Sequence, residues 1–172
     1  MARTGSAQRW WAQREQMQVE QIRRAIERVR KGIGQYLEIM ELFPATDVSA
    51  DEYFQSRFNA FYRIRQRPRV WYDEYYSYMQ RRKGTNTTFS EVLRHFFSTL
   101  GRYEPSFSSK LAATLDVNLP VWDSVVLSYA CIERPRYSSR DKVKQAEDVY
   151  ERLENWHREH IKSGPGKLIL ET

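Results

Sequence analysis

Between Val19 and Met40 the apolar residues Val19, Ile22, Ile26, Val29, Ile33, Tyr36 and Met40 recur at intervals of three and four. That interval places them on one face of an α-helix and on no single face of a strand. The same rhythm returns in Tyr53, Phe54, Phe58, Phe61 and Tyr62, then in Trp71, Tyr72, Tyr75, Tyr76, Tyr78 and Met79. It returns again in Val92, Leu93, Phe96, Phe97 and Leu100, and last in Val143, Ala146, Val149, Tyr150, Leu153 and Trp156. No segment alternates apolar and polar residues between hairpin turns, so no strand is expected. The pattern predicts an all-α chain, a compact single-domain bundle of about seven helices spanning residues 1–172.

Start and stop chemistry sets the boundaries. The first helix is expected over about 7–42, its stripe packing within the domain, with Phe43-Pro44 breaking the chain. Ser49-Ala-Asp-Glu52 and Thr88-Phe-Ser-Glu91 both have the capping-box spacing, in which hydroxyl and carboxylate satisfy each other's orphan amides. Pro68 ends the second helix, a third runs over 70–83, and Gly101 suits the left-handed position after the fourth. A short helix is expected over 108–115, another over 121–132, and a last long one over 139–163. Gly164-Pro-Gly should stop that last helix, with Lys167-Leu-Ile-Leu packing back as a tail.

Composition narrows the function classes. An apolar content of 41% is ample for a core in 172 residues. The one cysteine, Cys131, excludes an internal disulfide framework and a cysteine zinc cluster, and suits a reducing compartment. No apolar run is long enough for a bilayer, and Met1-Ala-Arg-Thr-Gly-Ser lacks the apolar core of a secretory signal. A cytoplasmic protein is expected. His157 and His160 share a helix face without a third donor, so no metal and no cofactor are expected.

Charge is unevenly spread. Eight basic residues between Arg57 and Lys83 face only Asp73 and Glu74, a net of +6 that equals the excess of the entire chain. A local excess of this kind is the electrostatic footprint of a polyanion partner. Within it, Arg63, Arg65, Arg67 and Arg69 alternate across the break at Pro68, flanked by Phe61, Tyr62, Trp71 and Tyr72. Interleaved arginines and rings suit phosphate neutralisation plus stacking on an unpaired base.

Two segments carry the candidate chemistry: Glu104-Pro-Ser-Phe-Ser-Ser-Lys110 and, after a short connector, Leu119-Pro-Val-Trp-Asp123. Over about residues 88–132 this order resembles the helix-hairpin-helix DNA glycosylase superfamily. There a Pro-Gly-hydrophobic-Gly-x-Lys hairpin opens one helix and a Pro-Val-Asp segment opens the next. Pro105, Phe107 and Lys110 agree with the hairpin pattern, Ser106 and Ser108 stand at its glycines, and Trp122 intervenes before Asp123. The resemblance implies a helix-hairpin-helix fold that binds duplex DNA and flips a nucleotide out. It implies an enzyme that breaks an N-glycosidic bond, with or without lyase activity.

By that resemblance Asp123 stabilises the oxocarbenium-like sugar, and Lys110 is either the amine nucleophile or a phosphate contact. Ser106, Ser108 and Ser109, with Arg63, Arg65, Arg67 and Arg69, would hold DNA, and Phe107 and Trp122 would line the base pocket. From the residues alone Asp123 equally suits a carboxylate complementing a helix dipole. Two further readings stand beside the enzyme. One is a non-catalytic nucleic-acid-binding helical domain of a bacterial regulatory or anti-phage system. The other is an interaction bundle whose N-terminal helix is a dimer contact.

Overall fold

The computed structural model describes residues 4–135 and 138–171, with side chains from residue 19 onward except 165, 168 and 171. Eight helices and no strand occur among the described residues: α1 (Thr4–Ala45), α2 (Glu52–Tyr62), α3 (Arg69–Arg81), α4 (Phe89–Leu100), α5 (Pro105–Leu115), α6 (Ser124–Tyr129), α7 (Lys142–Lys162) and α8 (Gly164–Glu171). None of the described helices is long and apolar enough to cross a membrane.

Aromatic rings from α2, α3 and α4 form the centre of the core. Phe54, Phe58, Trp71, Tyr75 and Phe96 are at most 1% exposed. Tyr75 stacks on Phe96 at 5.5 Å and on Trp71 at 4.7 Å. Leu111 and Ala112 of α5 and Leu153 of α7 complete the same cluster. Rings dominate because large flat side chains at helical spacing bury much area per residue and pack face to face or edge to face.

Local chemistry explains α4 fully. Thr88 accepts from the Glu91 amide at 3.2 Å while the Glu91 carboxylate accepts from the Thr88 amide at 2.8 Å. Gly101 ends the helix at φ +66°, a conformation glycine adopts without a Cβ clash. The expected box at Ser49 is corrected. Asp51 is the cap of α2 and accepts from the Phe54 amide at 2.9 Å, whereas Ser49 is bonded to Asp47. An aspartate directly before the helix caps as well as serine does and is better placed.

Further boundaries differ from expectation: α1 runs on through Phe43 and Pro44 to Ala45, α2 ends at Tyr62 rather than at Pro68, and α7 starts at Lys142 rather than at residue 139. α5 begins at Pro105 rather than at residue 108, because proline at the first helical position lacks only an amide that would be unpaired anyway. α6 covers only Ser124–Tyr129, since long-range bonds hold the preceding segment extended. The Trp122 amide donates to Ser109 Oγ at 2.8 Å and the Tyr150 hydroxyl donates to the Pro120 carbonyl at 2.7 Å. The tail, expected to pack back on the body, does so as a helix, α8, which turns back on α7. A Cβ at Gly166 would lie 2.0 Å from the His160 carbonyl, so the reversal requires glycine.

The stripe on α1 is used only in part. Tyr36 meets Phe61 of α2 at 6.0 Å, and Ile39 and Phe43 are buried. No residue from 19 to 38 is buried, with Val29 54% and Ile33 42% exposed. The expected packing of the stripe within the domain therefore holds only from Tyr36 onward.

Candidate functional site

α4 and α5 form a hairpin through the four-residue turn 101–104, and one end of α5 is tied to two other helices. The Tyr75 hydroxyl donates to the Phe107 carbonyl at 3.0 Å, and Lys110 Nζ donates to the Tyr62 carbonyl at 3.0 Å. Between α1, α2, α5 and the 117–123 connector lies an open cleft of about 650 Å³. Its walls include Tyr36, Phe61, Tyr62 and Phe107, and its polar groups are Arg63, Lys110 and Asp123. A volume of that order suits a small organic ligand or a single nucleotide.

Lys110 is half-buried, its ammonium 4.8 Å from the Phe107 ring centre and 5.8 Å from that of Tyr62. The ring faces supply electrostatic attraction that offsets some of its lost hydration. Burial still pushes Lys110 below the ordinary lysine range; Asp123 pulls it back up and Arg63 pushes it further down. The Tyr62 phenol is pushed up to about 12 by burial, so this wall is neutral through the physiological range.

These influences have signs that can be measured. After reductive ¹³C-methylation, Lys110 is expected to titrate at lower pH than the exposed lysines. Asp123→Asn removes a group that favours the ammonium and should lower that midpoint further, while Arg63→Ala should raise it. A Lys110 midpoint that neither variant moves would show the three groups do not share a field.

Asp123 is the N-cap of α6. Its Oδ1 accepts from the Val125 amide at 2.8 Å, and the residue is exposed. Lys110 and Asp123 form no ion pair within 4.0 Å, so the two charges flank open space instead of closing on each other. Asp123 also borders a smaller pocket of about 230 Å³ lined by Glu104, Ser106, Trp122 and Arg134. It stands on the ridge between the two.

The other expected site residues divide. Phe107 lines the large cleft; Trp122 does not, being 5% exposed and stacked on Phe89 at 6.1 Å. Trp122 is thus corrected from base-pocket wall to core residue with one edge on the smaller pocket. Ser108 and Ser109 are fully buried, and Ser109 Oγ is occupied by the Ser106 carbonyl and the Trp122 amide. Neither can reach a phosphate at the surface. Starting the helix at Pro105 turns both serines inward, leaving only the partly exposed Ser106 at the hairpin.

The basic segment is narrower in space than in sequence. Arg57 pairs with Glu38, Arg82 with Glu91 at 3.0 Å, and Arg81 with Glu74 at 2.9 Å. Arg67 is drawn inward: it pairs with Glu104 at 3.2 Å and lies 4.9 Å from the Phe107 ring centre. It is therefore corrected from DNA contact to structural residue. Arg69 is almost fully exposed beside Asp73, and Arg63 and Arg65 have no ion-pair partner among the described residues. Three guanidinium groups thus remain available at the turn between α2 and α3, one of them on the rim of the cleft.

A larger groove of about 760 Å³ runs past α3, α4 and the start of α7. Several of its charges are engaged, Arg94 with Glu147 at 2.5 Å, Arg82 with Glu91, and His95 with Glu74 at 2.7 Å, while Arg140 and Asp141 on its lining have no ion-pair partner among the described residues. Among the described residues no three His, Cys, Asp or Glu side chains are grouped to hold a metal ion. Phe61 and Tyr62, two of the rings flanking the arginines, line the cleft, together with Tyr36, which sequence reasoning did not single out because it sits in a stripe that reads as core. No protein-family model, curated protein or solved structure matches the chain.

Proposed function

We propose that this chain is a helix-hairpin-helix, DNA glycosylase-like enzyme that takes an extruded nucleotide into the Lys110 cleft and hydrolyses its N-glycosidic bond. The observation that carries this reading is the convergence of Lys110 and Asp123 on one aromatic-walled cleft at the end of the α4–α5 hairpin. Phe107, Phe61 and Tyr36 would face the base, and Arg63 with Arg65 would hold the flanking phosphates. As the bond to the base lengthens, positive charge grows on the sugar, and the Asp123 carboxylate stabilises it. Water then adds to C1′ and delivers one proton to the departing base. Its lowered pKa favours Lys110 as a neutral amine that would instead attack C1′, the C1′–base bond breaking and one amine proton passing to the base, whereas as an ammonium it would contact the adjacent phosphate.

A second reading, a nucleic-acid-binding domain without catalysis, is favoured by one observation: Asp123 already serves as the cap of α6. Free base released from oligonucleotides carrying deaminated, alkylated or mismatched bases separates the two. The enzyme should release base, and borohydride should trap wild type but not Lys110→Met if the amine attacks. Binding that weakens with salt, with no base released from any substrate, leaves the second reading standing. No salt-dependent binding at all removes both.

A further inference from the structure

We infer, on the reading that a nucleotide enters the Lys110 cleft, that Arg63 and Lys110 together form the subsite that holds its phosphate. Both side chains line the cleft, Arg63 exposed at the rim and Lys110 half-buried against Phe107 and Tyr62. Among the described residues the Arg63 guanidinium has no hydrogen bond and no ion pair, so its donors are free. Lys110 Nζ uses one of its three donors, on the Tyr62 carbonyl at 3.0 Å.

Burial lowers the Lys110 pKa, Asp123 raises it, and Arg63 lowers it again, so the two cations oppose each other across the cleft. Against them stands one carboxylate, Asp123, whose Oδ1 is occupied by the Val125 amide and which pairs with neither cation. A phosphate relieves the repulsion, because a planar guanidinium fork and a point-charge ammonium can take different oxygens of the same group. The rings of Tyr36, Phe61 and Phe107 then offer faces on which the attached base can stack.

The backbone at Arg63 points the same way. α2 ends on this residue in the left-handed region, at φ +54° and ψ +41°. Ile64 is 3% exposed and its amide donates to the Asn59 carbonyl at 2.9 Å, so the chain must turn here whatever residue stands at 63. Glycine meets such a turn without a Cβ clash, whereas arginine holds it under strain. Strain alone marks no site, for Gln66 has φ +56° and does not line the cleft. At Arg63 the strained backbone and a free guanidinium on the cleft coincide, and strain of this kind gathers where side chains bind ligands.

The probes are deoxyadenosine 5′-monophosphate, deoxyadenosine and inorganic phosphate, each titrated into the full chain. The monophosphate should bind at least about 10-fold more tightly than the nucleoside or phosphate alone. It should also raise the midpoint of ¹³C-methylated Lys110, because an anion beside the amine favours the ammonium. Arg63→Ala and Lys110→Gln should each weaken the monophosphate about 10-fold and leave the nucleoside unchanged. Glutamine keeps a donor for the Tyr62 carbonyl while dropping the charge. Arg63→Gly should lose the same affinity yet raise the melting temperature by about 2–4 °C. Gln66→Gly should raise it similarly with binding intact. Equal affinity for monophosphate and nucleoside overturns the subsite, as does an Arg63→Gly variant that binds like wild type. Inorganic phosphate binding as tightly as the monophosphate overturns the assignment to a nucleotide. A chain that fails these tests but releases base keeps the enzyme and loses the subsite; one that passes them and releases no base keeps the subsite and loses the enzyme.

Discussion

Trp71→Ala is expected to cost about 3–5 kcal/mol of folding free energy, a large part of the roughly 5–15 kcal/mol that holds a typical domain together. The indole is 1% exposed, stacked on Tyr75 at 4.7 Å and 16° and on Phe96 at 6.4 Å and 22°. Phe107 meets it edge-on at 5.5 Å. Removing it leaves a cavity bounded by α3, α4 and α5 that rigid helices cannot close. Trp71→Phe is the informative contrast. It keeps a ring in the stack and removes the indole N–H, which is buried without a hydrogen-bond partner. The phenylalanine variant should therefore lose only about 1–2 kcal/mol. Denaturant midpoints decide the matter, and equal losses in the two variants would mean that the stack is not the source of the stability.

The same ring connects stability to the candidate site. Phe107 lies between Trp71 and the Lys110 ammonium, touching each within 5.5 Å of its ring centre. A core defect at Trp71 should then loosen the wall on which Lys110 rests. Any folded fraction of Trp71→Ala is expected to show a Lys110 midpoint moved back toward that of exposed lysines.

How far the sequence could be read depended on the range of each interaction. α4 was legible from end to end because Thr88, Glu91 and Gly101 set its limits through contacts within a few residues. α6 was not, because the forces that shorten it come from Ser109 and Tyr150, 13 and 30 positions from the groups they bind. The serines of the hairpin were misjudged for a related reason. Starting the helix at Pro105 rotates Ser108 and Ser109 to the inner face, and the local signal for that start, a proline at the first helical position, reads equally as part of the hairpin turn.

Charge shows the same division. A net of +6 over Arg57 to Lys83 is a property of the chain, whereas a patch is a property of the surface. Glu38, Glu91 and Glu104 come from outside the segment and take up Arg57, Arg82 and Arg67. Lys110 and Asp123, by contrast, were legible as a pair, since one short helix and one connector join them. The rings that complete their cleft, Tyr36, Phe61 and Tyr62, come from 48 or more positions before Lys110, and no sequence signal joined them to Lys110 and Asp123.

Asp123→Asn should slow base release by at least about 100-fold while leaving nucleic-acid affinity and the melting temperature nearly unchanged. The substitution separates the observed cap from the proposed electrostatic role. Asparagine caps a helix about as well as aspartate, so its side-chain oxygen can still accept from the Val125 amide and α6 keeps its start. What disappears is the negative charge at the rim of the cleft, the only acidic group among its lining residues. A sugar gaining positive charge there would meet Arg63 and Lys110 with no anion to balance them. Asp123→Ala removes charge and cap together and should cost about 1 kcal/mol of stability in addition. If the asparagine variant releases base as fast as wild type, the carboxylate is a helix cap and nothing more. The cleft would then bind a nucleotide without cutting it.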